Sequence, residues 1–109
     1  QKAQLAMARM SREFLELSDV TSASSTEIQY VRDSESHIIR FANSQITIDN
    51  NVLVDKVSSF TLSYKNSGGN PCQGTDSDLA TIEISLDLSR ADNDIGTISF
   101  TTTVNPRDI

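Results

Sequence analysis

The chain has 109 residues, 37% of them hydrophobic, enough for one domain around one core. Its 15 Asp and Glu outnumber its 9 Lys and Arg, and a net charge of −6 argues against the basic stripe that phosphate-driven nucleic-acid binding requires. No run approaches the ~18 consecutive apolar residues of a membrane-crossing helix, and the single cysteine excludes an intrachain disulfide.

The first predicted element is a helix over 1–17, "QKAQLAMARMSREFLEL". Ala3, Met7, Met10, Phe14 and Leu17 recur at steps of three and four, widened by Ala6, and form one apolar stripe. Lys2, Arg9, Arg12, Glu13 and Glu16 occupy the other side. No Ser, Thr, Asp or Asn caps the first turn, so either the helix starts this abruptly or something N-terminal to it has been removed. Residues 18–26, mostly small and polar, read as a linker.

From Thr26 onward the hydrophobic period is 2. "TEIQYVRD", "SHIIRFA", "QITID" and "VLVDKV" read as short strands of an antiparallel meander, with Asn50 and Asn51 marking one hairpin. In "SFTLSYK", Phe60, Leu62 and Tyr64 alternate with polar residues. So do Ala80, Ile82, Ile84, Leu86 and Leu88 in "LATIEISLDLS", and Ile98, Phe100, Thr102 and Val104 in "TISFTTTV". A sheet with one dry face, preceded by an amphipathic helix, predicts an α+β fold. The helix should pack on one antiparallel sheet of short strands, within a single domain divided as 1–17 helix, 18–26 linker and 27–109 sheet region.

Catalytic chemistry finds no foothold. There is no Ser, His and Asp set, no metal-type pair of His or Cys, and no phosphate loop. Cys72 sits in a Gly-rich loop, while the only histidine, His37, lies in another element and reads as a partly exposed strand residue. Two oxygen-rich loops, 66–78 and 90–96, offer Asp76, Asp78, Asp92 and Asp94 as weak calcium candidates. Asn66, Asn70 and Asn93 stand nearby, but neither loop has the EF-hand spacing. No enzyme activity and no obligate cofactor are expected.

In their order along the chain, four segments resemble the soluble part of type IV pilin-like proteins, particularly minor pilins and the minor pseudopilins of type II secretion. They are "QKAQLAMARMSREFLEL" at 1–17, "VLVDKVSSFTLSYKNSGGN" at 52–70, "DLATIEISLDLS" at 78–89 and "FTTTVNPRDI" at 100–109. The resemblance implies a structural subunit of a bacterial pilus or secretion pseudopilus. An apolar half-helix ahead of Gln1 would hold it in the inner membrane, facing the periplasm, until its assembly into a periplasmic or cell-surface filament. Its partners would be other pilin or pseudopilin subunits. Met7, Met10, Phe14 and Leu17 would hold the sheet, while Leu5, Ala8 and Leu15 would touch neighbours. Such heterologous packing leaves an isolated soluble domain monomeric. A different class of function is a secreted or periplasmic β-rich binding module that recognises a ligand through loops 66–78 and 90–96.

Overall fold

A computed structural model describes residues 2–89 and 97–106. One helix, α1 (Lys2–Leu15), precedes eight strands: β1 (Asp19–Ala23), β2 (Glu27–Arg32), β3 (Glu35–Ala42), β4 (Gln45–Ile48), β5 (Asn51–Val54), β6 (Val57–Asn66), β7 (Leu79–Ser89) and β8 (Thr97–Val104). The loop expected at 90–96, with Asp92 and Asp94, lies outside the described residues, as does the end of the chain from 107.

The spacing of apolar residues in α1 has the expected consequence for packing. Ala3, Ala6, Met7, Met10 and Phe14 are all buried. The helix ends two residues earlier than expected. There Leu17 N–H reaches back to the Phe14 carbonyl, and Ser18 N–H donates to Val31 O at 2.8 Å. Backbone pairing thus passes from helix to sheet at Ser18, and Leu17 is fully buried at the junction.

The linker expected at 18–26 contains a strand. β1 pairs antiparallel with β2, with a bulge between Val20 and Ser22, and Val20 is its only fully buried residue. Ladder hydrogen bonds hold β1, and with one buried apolar side chain it had no periodicity to display.

From β2 to β5 the meander turns on three two-residue hairpins: Asp33–Ser34, Asn43–Ser44 and Asp49–Asn50. All six residues have φ between 50° and 69°, the left-handed pair that a type I′ turn needs. The last turn falls one residue before the expected Asn50–Asn51, and Asn51 pairs with Ile48. None of the six is glycine. We therefore expect Ser44→Gly, which creates the favoured Asn-Gly turn, to stabilise the domain by about 0.5 kcal/mol. Relief of a left-handed cost of roughly 1–2 kcal/mol is offset in part by the entropy of glycine. A higher urea midpoint at unchanged slope is the result to look for.

The single sheet under a helix, and with it the α+β class, is overturned. More than half of the described residues are in strands, and these form two antiparallel sheets, β1-β2-β3-β4-β5 and β6-β7-β8, with one short helix. The fold is β-rich. The break lies at Asp55–Lys56, where Lys56 takes φ of 57° and turns the chain out of the meander, so that β5 and β6 do not pair. Instead, hairpin tips of the first sheet meet β6. Leu62 N–H donates to Ser25 O at 2.7 Å, Val57 N–H to Ser44 O at 2.9 Å, and Tyr64 OH to Ser24 O at 2.8 Å. Ile28, Tyr30, Ile39, Ile46 and Ile48 of the first sheet share one core with Phe60, Leu62, Ile82, Ile84, Leu86 and Val104 of the second and with the helix.

Candidate functional site

The rotation of α1 about its own axis decides which residues it offers to solvent, and one buried carboxylate fixes it. Glu13 is 2% exposed. It accepts a hydrogen bond from Tyr30 OH at 2.7 Å, from Arg32 Nη1 at 2.8 Å and from Arg9 Nε at 3.3 Å. Arg32 also donates from Nε and Nη2 to Glu16 Oε1. Burial, together with the Glu13 carboxylate beside it, pushes the Tyr30 phenol far above its ordinary pKa, so it stays a donor. Phe14 packs edge-on against the Tyr30 ring, with centroids 5.8 Å apart. This contact and the Arg32 clamp tie one flank of α1 to β2.

The opposite flank carries a continuous strip. Leu5, Ala8, Arg12 and Leu15 follow at steps of three, four and three and so lie along one line of the helix surface. Leu5 is 69% exposed, Ala8 and Arg12 are exposed, and Leu15 is half-buried against the core. The strip runs into a groove of about 510 Å³ between α1 and β8, lined by Ser11, Arg12, Leu15 and Thr102 to Asn105. The structure thus aligns Leu5, Ala8 and Leu15, but it places Leu15 at a groove wall and the other two in the open. Met7, Met10, Phe14 and Leu17 are buried beneath the helix. The β8 side of the groove was not legible in sequence, because Thr102 and Val104 read only as inward positions of a strand. Val52, 54% exposed on β5, was likewise unremarkable in an apolar run.

The loop at 66–78 spends its oxygens on itself. Asn66 Oδ1 accepts from the Gly68 and Asn70 amides, and Asp76 Oδ2 accepts from Gln73 N–H at 2.9 Å. Asp78 is exposed. Among the described residues no three His, Cys, Asp or Glu converge as a metal ion would require. Gly74 locks the loop down: a Cβ there would stand 2.5 Å from Ala23 Cβ and 2.9 Å from the Tyr64 ring. Burial, with Asp76 and Asp78 nearby, raises the Cys72 thiol above its ordinary pKa, the opposite of what a nucleophile needs.

His37 is half-buried, and its Nδ1 lies 2.7 Å from Asp49 Oδ2, while Asp49 Oδ1 accepts from Ile38 N–H at 3.0 Å. Burial acts to raise the Asp49 pKa, but the His37 and Ile38 hydrogen bonds outweigh it and hold the carboxyl below its ordinary value. On acidification the unfolded chain therefore takes up this proton first. The contribution to stability is complete above the unfolded pKa of about 3.9 and drains away as pH falls through the lower folded value. Asp49→Asn keeps the turn but cannot titrate. We expect the urea midpoint of the parent to fall relative to that of the variant between about pH 5 and about pH 2. Parallel curves would contradict the assignment.

The chain matches no family model, no curated protein and no solved structure. Among the described residues no helix is long and apolar enough to cross a membrane.

Proposed function

We propose that this chain is a structural subunit that works by assembly, in a filament of the type IV pilus or type II secretion pseudopilus kind. Neighbouring pilin-like subunits would meet the outer strip of α1. The observation that carries the reading is Leu5: a large apolar side chain, 69% exposed on a helix whose inner face is already fully used. The likeness of the four sequence segments adds to it, and the two-sheet architecture lends it nothing. An inner-membrane anchor and a periplasmic or surface location belong to the same proposal.

The test uses the full-length protein in its own cell. Leu5→Glu and Ala8→Glu are expected to abolish filament incorporation while the domain stays folded, since exposed sites away from packing tolerate change to within about 0.5 kcal/mol. Normal incorporation of both variants would refute the proposed strip. A gene in which no apolar helix runs into Gln1 would refute the filament.

A further inference from the structure

Every sheet edge presents unpaired N–H and C=O groups to any strand that approaches, and folded proteins blunt their edges with bulges, short strands, proline, charge or cover. The two sheets here have four edges: β1, β5, β6 and β8. β1 is five residues long and broken by a bulge. β5 is four residues long and pairs with β4 through a shift in register. β6 is capped by the Ser25 and Ser44 carbonyls and by the bridge from Lys65 to Pro71.

β8 has no bulge, proline or charge of its own, and its cover is partial: α1 lies along it and leaves a groove between helix and strand. It runs eight residues, pairs with β7 from Thr97 to Val104 without a shift, and contains no charged residue, Pro or Gly. Among the described residues its backbone pairs with β7 alone. Beside it lies the groove under α1. Thr102, which lines it, and Phe100 farther along β8 are only half-buried. Arg12 is the one charged side chain lining the groove, and it makes no ion pair among the described residues.

We propose that β8 is a strand-acceptor edge for an extended segment of a partner protein. The segment adds to the sheet antiparallel or parallel to β8, seats alternate apolar side chains in the groove against Leu15, and sets a carboxylate against Arg12. Main-chain hydrogen bonds supply affinity and the groove supplies selectivity. A second copy of β8 fits less well, because a two-fold pairing joins the two grooves and brings two Arg12 side chains together with no described carboxylate between them. The inference stands on the strand edge and does not depend on the filament reading.

The probe is a fluorescent peptide as long as β8, alternating Thr and Val with one central Asp, titrated against the folded chain by anisotropy. Binding is expected to slow amide exchange at Thr101 to Val104. N-methylation of alternate peptide amides is expected to weaken binding roughly tenfold or more in one register and little in the other, because only one alternating set of amides donates to the edge of β8. Arg12→Glu, at an exposed position, is expected to cost about fivefold with the Asp peptide and to favour a Lys counterpart. Equal binding by both N-methylated peptides, protection elsewhere than β8, or indifference to Arg12→Glu would each overturn the proposal. So would a concentration-dependent dimer, seen by sedimentation without peptide, that protects the same β8 amides.

Discussion

Arg32→Met is expected to destabilise the domain by about 3 kcal/mol, a large share of the roughly 5–15 kcal/mol that holds a domain of this size folded. The cost comes from what is left behind. Glu13 is 2% exposed and would keep its carboxylate under the helix with Tyr30 OH and the longer Arg9 contact as remaining donors. Arg32 itself is 24% exposed and gives little apolar burial to lose, so a packing deficit cannot account for the loss. The diagnostic comparison is the triple variant Glu13→Met, Tyr30→Phe, Arg32→Met, which removes the buried polar groups together. It should recover most of the loss, since apolar replacements of similar volume often match or exceed a buried ion pair. Urea unfolding of the two proteins decides the matter. A single variant within about 1 kcal/mol of the parent would show that Tyr30 OH and Arg9 suffice to sustain the carboxylate.

Phe14→Ala is expected to cost about 3–5 kcal/mol, the range for emptying a fully buried aromatic site. Phe14 is 0% exposed and meets Tyr30 edge-on, an arrangement worth about 0.5–1.5 kcal/mol beyond the area it buries. A helix of 14 residues is marginal by itself, so this packing decides whether α1 forms at all. Helical circular dichroism is expected to fall together with the core transition, and Phe14→Glu should not fold. If α1 remained helical and docked in Phe14→Ala, the anchoring would have to reside in the Glu13 network instead. Leu5→Glu, at a position 69% exposed on the outer face of the same helix, is the control: its unfolding midpoint should match the parent.

Much of this protein follows from local pattern. The buried stripe of α1 comes from residue spacing, and the inward residues of β6, β7 and β8 come from strict alternation, because a helix or a strand with one dry side must display its period. Asn50 and Asn51 between two apolar runs marked one turn of the meander to within a residue, since Asn tolerates positive φ. β1 escaped notice because ladder hydrogen bonds hold it and no apolar alternation announces it. Of the candidate site, Leu5 and Ala8 were legible as residues off the main stripe, whereas the β8 wall of the groove was not.

What the sequence determined by itself is where the helix and the strands after β1 form and which side of each is dry. The tertiary structure alone decided how those dry sides share one core. A positive φ at Lys56 and a handful of carbonyls on hairpin tips split the strands into two sheets, and no residue pattern records that division. It alone also decided that Glu13, four residues from Arg9 on a seemingly solvated face, is buried. Its partners Tyr30 and Arg32 are seventeen and nineteen residues away, and only folding brings a buried charge to its counter-charge.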